Sequence, residues 1–376
     1  MALFGYAGSF LSYVVPFVFV LSVVVFFHEM GHFLVGRWCG VKVDAFSLGF
    51  GPELFSYTDS KDTRWRVALL PLGGYVKFHG DANGASMADK EAVTAMPRSE
   101  RAVTFFGQPV WKRTLIVAAG PVANFLLAIV IFTGIFSLEG KAVLIPRVDS
   151  VRAGEAAEAA GFKAGDLIVS IDGRAVESWG DMQRVVQSSA GLPLTFVVKR
   201  GTELATLIAT PRLREIDTAF GKNKMALLGL NGSRDPKDVE IRDVGLVSAV
   251  GLAVQETWYG IDRTAGFVSG LFAGRESADQ MSGPIGIARV SGEVAKIGIM
   301  ALLNLVAILS ISIGLINLVP IPLLDGGHLL FYAFEALRGQ PLSQRTQEYG
   351  FRVGLAFVLA LMLFATFNDI MHFTRT

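Results

Sequence analysis

The chain has 376 residues, of which 52% are hydrophobic and 18% charged, and its mean hydropathy is +0.48. Such a balance excludes an ordinary soluble enzyme and reads as a polytopic α-helical membrane protein. The net charge of +1 comes without a dense basic stripe, which argues against nucleic acid as a partner, and a single cysteine, Cys39, excludes an intrachain disulfide.

Four stretches, 10–35, 114–138, 297–319 and 351–373, carry the roughly 20 apolar helical residues needed to cross a hydrocarbon core. No Lys or Arg precedes Arg37, so the basic start of a cleavable signal peptide is missing and the first span is expected to persist in the mature protein. Inside that span, Phe26-Phe27-His28-Glu29-Met30-Gly31-His32 contains an H-E-x-x-H pattern. On a helix the two histidines stand one turn apart on one face, so both imidazoles can reach one metal ion, and the adjacent glutamate can act as a general base on water. The pattern also arises as a solvated pair in soluble helices. Here, however, each strongly polar group in a spanning helix costs about 2.5–3.5 kcal/mol, and three within one turn demand a compensating function.

Residues 37–113 carry eleven Lys or Arg, whereas none precedes the first span. By the positive-inside rule this loop is cytoplasmic, and alternation places 139–296 outside and 324–350 inside. The first and third spans then run in the same direction, bringing His28, His32 and the chain after Val319 to similar depth. Within the loop, 47–57 (SLGFGPELFSY) and 65–78 (WRVALLPLGGYVKF) read as short strands joined by 59–64. They suit either a sheet dipping into the membrane beside the site or a plain cytoplasmic hairpin.

The outside segment has strand-like runs at 144–150, 167–171, 194–199 and 204–210 and a helical stretch near 180–188, which makes a small α+β domain. Its Ala160-Gly161-Phe162-Lys163-Ala164-Gly165-Asp166-Leu167-Ile168 run, followed by Ile171-Asp172-Gly173, resembles the bacterial PDZ domain. Such domains bind extended peptides by strand addition, although a spacer role is also compatible. Residues 221–238 suit a linker, and 246–272 has the three-and-four spacing of an amphipathic helix lying on the membrane or against the bundle.

A catalytic zinc needs three protein ligands and an open position, so the two histidines are incomplete. Asp325 is the expected third ligand: it follows Asn317-Leu318-Val319-Pro320-Ile321-Pro322, whose prolines unwind the chain at membrane depth, and Gly326 and Gly327 are expected to permit a turn aiming its carboxylate at the histidines. His328, one turn further, is the competing ligand. His79 and His372 read as structural.

These motifs together resemble the site-2 protease family of intramembrane metalloproteases, particularly its bacterial regulator of sigma-E protease branch. The resemblance rests on His28-Glu29-x-x-His32, Gly51-Pro52-Glu53-Leu54-Phe55, Pro71-Leu72-Gly73-Gly74-Tyr75-Val76-Lys77, Ala119-Gly120-Pro121-Val122-Ala123-Asn124-Phe125, the PDZ segment, Met281-Ser282-Gly283-Pro284-Ile285-Gly286 and Asn317-x-x-Pro320-x-Pro322-x-x-Asp325-Gly326. It implies Zn2+ on His28, His32 and Asp325, Glu29 as base, and Asn317 and Asn124 as residues that position an unwound substrate. It also implies that the 51–77 β region, with Gly73 and Gly74, pairs with extended substrate. The implied substrate is a single-pass membrane protein already shortened by an upstream protease, of the anti-sigma-factor or remnant-signal-peptide type. The implied setting is the bacterial cytoplasmic (inner) membrane, with an extracytoplasmic PDZ domain and the active site toward the cytoplasm. One departure is the single PDZ segment, where the best-known enterobacterial members have two in tandem.

The expected organisation is thus a first transmembrane helix (1–36), a cytoplasmic loop with the β region (37–113), a second helix (114–138), a PDZ domain (142–215), linker and amphipathic helix (216–296), a third helix (297–326), a second cytoplasmic loop (327–350) and a fourth helix (351–376). A transporter could also use intramembrane His, Glu and Asp, but no internal repeat is visible. A non-catalytic PDZ scaffold would leave those polar groups uncompensated.

Overall fold

The computed structural model describes residues 2–81, 96–218, 221–233, 235–274 and 283–375. Met281 and Ser282, the first two residues of one quoted motif, and the side chain of His372 lie outside what is described. The helices are α1 Ala2–Trp38, α2 Arg98–Arg101, α3 Val110–Glu139, α4 Ala156–Ala159, α5 Trp179–Ser188, α6 Leu246–Phe272, α7 Pro284–Ile297, α8 Ile299–Leu318, α9 Asp325–Arg338 and α10 Gln344–Arg375. Four of them, α1, α3, α8 and α10, contain stretches long and apolar enough to cross a membrane. The chain divides into two units, one of residues 1–134, 250–265 and 278–376, the other of 135–249 and 266–277.

In the first unit, Val20 and Val24 of α1, Leu127 of α3, and Leu302 and Val306 of α8 form one buried cluster. Polar chemistry is possible here because α1 and α3 come unusually close. A Cβ on Gly31 would stand 2.2 Å from the carbonyl oxygen of Ala119, so only glycine fits at this crossing. The loop after α1 folds into a hairpin of β1 Val43–Thr58 and β2 Arg64–Phe78, paired antiparallel from Val43↔Phe78 to Thr58↔Arg64. Strand β1 begins four residues before the expected 47–57, whereas β2 matches the expected 65–78 to within one residue. Glycines at positive φ, Gly49 at 91°, Gly51 at 87° and Gly73 at 145°, accommodate several register shifts within the pair.

The hairpin turn is tied to the end of α1 by Asp59, which accepts from Arg37 Nη2 (2.7 Å), Trp65 Nε1 (3.1 Å) and the backbone amides of Lys61 and Thr63 (2.9 and 3.0 Å). Near this anchor Val43, Phe46, Val76 and Phe78 are buried against Phe33 and Phe105. Farther out Phe50, Leu54, Phe55 and Leu70 are exposed, an apolar tip that suits lipid.

Residues 327–350, expected as loop, are largely helical: α9 starts at Asp325 and runs to Arg338. Gly326 and Gly327 do not make the expected turn, for neither has positive φ; the left-handed residue is Leu323, at φ 106°. The glycines instead allow close packing, because a Cβ on Gly326 would lie 2.3 Å from Val319 O and one on Gly327 2.4 Å from Ile321 O. The 216–296 segment also holds an unexpected helix, α7. Its N-terminus is capped from α10, where Asp369 accepts from the amides of Gly283 (3.0 Å) and Gly286 (2.9 Å).

The second unit holds a four-stranded antiparallel sheet in the order β6 Arg174–Ala175, β5 Leu167–Ile171, β7 Leu194–Arg200, β8 Glu203–Ala209. Ile168, Ile171, Phe196 and Val198 from the sheet and Trp179, Met182 and Val186 from α5 make its core. The strand expected at 144–150 is split into β3 Lys141–Leu144 and β4 Val148–Val151, with Pro146 in the gap. The expected linker is largely strand: β10 Gly221–Leu227 pairs with β9 Arg212–Thr218, β11 Leu230–Gly232 with β4, and β12 Val239–Arg242 with β3. Turn-forming glycines in this stretch had masked short pairings closed only by partners some 80 to 100 residues earlier in the chain.

Asp166 is fully buried in this unit, and Arg200 forks onto it at 2.7 and 2.8 Å while the Lys163 amide donates at 2.9 Å. Burial raises its carboxyl pKa, but the Arg200 contacts and the amide more than offset this and hold it below the ordinary 3.8. The resulting stabilisation is complete above pH 3.8 and is lost as pH falls through the depressed folded value. Asp166→Asn is expected to cost about 2 kcal/mol at pH 7, less than a sealed pair because the Arg200 side chain is 35% exposed. Hydrogen exchange in β5 and β7 of the full-length protein under increasing urea measures it; an unchanged midpoint would contradict the assignment.

Candidate metal centre

Two separated segments converge within the first unit. Helix α1 supplies His28, Glu29 and His32, and the first residue of α9, just after the irregular chain that follows α8, supplies Asp325. The Nε2 atoms of His28 and His32 are 3.3 Å apart; Asp325 Oδ2 lies 3.2 Å from His28 Nε2 and Oδ1 lies 3.6 Å from His32 Nε2. All three residues offer donor atoms within 4.8 Å of one another, and among the described residues no other His, Cys, Asp or Glu group does so. His328 is therefore not in the cluster. It lines the same cavity, with its ring 5.3 Å from Phe351 and 6.4 Å from Tyr332.

The donor set fits a cation on two observations. Asp325 Oδ2 is inaccessible to solvent and, although close to His28, takes part in no hydrogen bond of acceptable geometry. The outer nitrogens of the imidazoles, in contrast, are partnered. His32 Nδ1 donates to the carbonyl of Ile116 on α3 at 2.9 Å, a tautomer that leaves the Nε2 lone pair pointing at Asp325. His28 Nδ1 faces the Asn124 amide at 3.3 Å, and Asn124 Oδ1 is buried without a partner. Exchanging the amide oxygen and nitrogen lets His28 Nδ1–H donate to Oδ1, which frees the His28 Nε2 lone pair as well.

Glu29 is next to His28 on α1 and lines a cavity of about 580 Å³ shared with Gly73, Gly74, Asn317 and Asp325. Val76 of β2 lines the same cavity. A Cβ on Gly74 would stand 2.8 Å from Ser47 O and 3.0 Å from Glu29 Cγ, so this glycine lets the hairpin lie directly against the base. A Cβ on Gly73 would meet the Phe50 ring at 2.6 Å. Asn317 Nδ2, at the end of α8, is 3.4 Å from His28 Nε2. All the expected site residues thus border one cavity or its histidines. His79 lies apart, between Asp44 (3.0 Å) and Glu100 (3.4 Å).

Two participants were not singled out from sequence. Ile116 acts through its carbonyl, which no side-chain motif reports. Gly120 lies under the histidines: a Cβ there would be 2.3 Å from His32 Nε2 and 2.9 Å from His28 Cε1. The small-residue run Ala119-Gly120 was the available signal.

Residues 16–361 match peptidase family M50. The Caulobacter vibrioides protein named Metalloprotease MmpA is 42% identical over 385 residues, covering 96% of this chain and 96% of its own length. An Agrobacterium fabrum protein that carries the name Putative zinc metalloprotease is 46% identical over 364 residues, covering 96% of this chain and 97% of its own length. Among solved structures, the PDZ domain of the SdrC-like protein of Listeria monocytogenes aligns with 23% of this chain and 84% of its own, at 25% identity and a TM-score of 0.19.

The fit at Gly120 generates a direct test. Gly120→Ala is expected to displace the imidazoles and lower zinc content of the purified protein by at least about tenfold, without unfolding the bundle. Metal analysis and circular dichroism of the same sample check it; full zinc occupancy would show that the space below the histidines is not needed.

Proposed function

Because the chain belongs to peptidase family M50, the site-2 proteases, we propose that His28, His32 and Asp325 hold its zinc and that Glu29 is the general base in hydrolysis of a peptide bond within a transmembrane segment. The protein is a zinc metalloprotease of a family devoted to intramembrane proteolysis, and its substrates are membrane proteins. The observation that carries the residue assignment is the meeting of three lone-pair donors at one point, with one carboxylate oxygen unsatisfied. Bound there, zinc supplies Lewis acidity that polarises a peptide carbonyl and acidifies water.

The chain's own residues do the rest. Glu29 takes a proton from the attacking water and returns it to the leaving amine, as a base one residue from a ligand is placed to do. Ile116 and Asn124 keep the imidazoles oriented with Nε2 inward. A transmembrane helix shields its peptide bonds with its own hydrogen bonds, so the segment to be cut must first become extended. The backbone around Gly73 and Gly74 borders the cavity and, having no side chains there, offers a surface on which extended chain can pair. Asn317, which lines the cavity, supplies an amide for its carbonyls, whereas Asn124 is fully buried outside the cavity lining and acts through His28 rather than on substrate as the resemblance implied.

The substrate in this reading is a single-pass membrane protein already shortened by an upstream protease, an anti-sigma factor or a remnant signal peptide. The eleven Lys and Arg between the first two spans support an active site toward the cytoplasm and a PDZ-like domain outside, in a bacterial inner membrane. Glu29→Gln is expected to keep zinc while cutting of a single-pass model substrate falls by about 10²–10⁴-fold. Products mapped by mass spectrometry decide: wild-type cleavage by Glu29→Gln would remove Glu29 from the base role, and a Glu29-dependent cut outside the apolar segment would overturn intramembrane hydrolysis of that substrate.

A further inference from the structure

Asp325 is the first residue of α9, and ten residues later the same helix is held by a buried ion pair. Arg113 of α3 reaches Glu335 with two prongs, Nη2 to Oε1 at 2.6 Å and Nη1 to Oε2 at 3.2 Å, and the two side chains are only 10% and 13% exposed. The arginine is itself fixed: its Nε donates to the carbonyl of Gln108 at 3.1 Å, and its guanidinium lies 4.9 Å from the ring centre of Tyr332. Neither Arg113 nor Glu335 lines the cavity.

Residues 325, 328, 332 and 335 share one stripe of a helix, so the cavity-facing carboxylate and the anchored one belong to the same face of one short rod. Arg113 is also one turn before Ile116, whose carbonyl orients His32. A single stretch of α3 therefore fixes His32 through Ile116 and α9 through Arg113. The tolerance is small: a carboxylate about 5 Å from a helix axis moves more than about 1 Å when the helix turns by about 15°, whereas ligand distances in metal sites hold to about 0.2 Å. Buried ion pairs contribute little net stability once desolvation is counted, and their best-attested use is to fix register.

We infer that Arg113 and Glu335 are a positioning pair that sets the register of α9, and through it the place of the Asp325 carboxylate relative to His28 and His32. The inference rests on the proposed role of Asp325 as a zinc ligand.

The test is zinc affinity of the full-length protein in detergent, measured by competition with a chromophoric chelator, together with the visible spectrum of the cobalt-loaded protein, which reports ligand geometry. Glu335→Gln is expected to weaken zinc binding by about 10- to 100-fold and to change the cobalt spectrum. Since a lone buried Arg113 could unfold the single variant, R113M/E335M removes both charges, and the same loss of affinity is expected with the fold retained. Wild-type affinity and an unaltered cobalt spectrum in the folded double variant would overturn the inference. Asp325→Ala, measured alongside, separates the two claims: if it also binds zinc as wild type does, the ligand assignment has failed, whereas loss there with none in R113M/E335M rejects the positioning pair alone.

Discussion

Two imidazoles and a carboxylate meet where the surrounding helices are almost wholly apolar, and the rest of the structure is arranged to make that meeting tolerable. Each such group costs about 2.5–3.5 kcal/mol in a spanning segment. Their lone pairs point at one another, with no hydrogen bond to relieve Asp325 Oδ2. Apolar packing cannot offset this; a bound cation can, because it converts mutual repulsion into coordination. In the proposed assignment, the zinc chemistry of the family and the physical stability of the bundle depend on the same three residues.

Holding them together requires backbones closer than ordinary side chains permit. Gly31 brings α1 onto Ala119, Gly120 leaves room for both imidazoles, and Gly74 lets β2 lie against Glu29. On the other side of the cavity, Pro320 and Pro322 end α8, Leu323 turns the chain at φ 106°, and Gly326 and Gly327 pack the start of α9 against that turn. Irregular backbone at membrane depth is tolerated where it borders a cavity, and here it also delivers the third donor. The hairpin follows the same rule, being anchored through Asp59 and Arg37 and apolar at its far end.

The four spans were legible because hydrophobic length is a strong, local signal, and the metal cluster because polar groups in such spans are rare. Helix α6 was readable from its periodicity over 246–272. What escaped was set by partners distant in the chain. The helix starting at Asp325 hid behind two prolines and two glycines that look like loop residues, yet the glycines serve packing and the turn falls on a leucine. Strands β11 and β12 were read as linker because each is short and pairs with a strand some 80 to 100 residues earlier; β10 is the local exception, paired with the adjacent β9 and hidden by its polar Gly221-Lys222-Asn223-Lys224 start. The roles of Ile116 and Gly120 were invisible for a different reason: one acts through its carbonyl and the other through the absence of a side chain.

The ligand set of the zinc itself tests the account most directly. X-ray absorption at the zinc K-edge of the full-length protein, compared with Asp325→Asn, counts nitrogen and oxygen neighbours without reference to any substrate. Two imidazole nitrogens and a carboxylate oxygen, with the carboxylate contribution altered in Asp325→Asn, are the predicted result. Three imidazoles, or a spectrum unchanged by the substitution, would contradict the centre described and shift attention to His328.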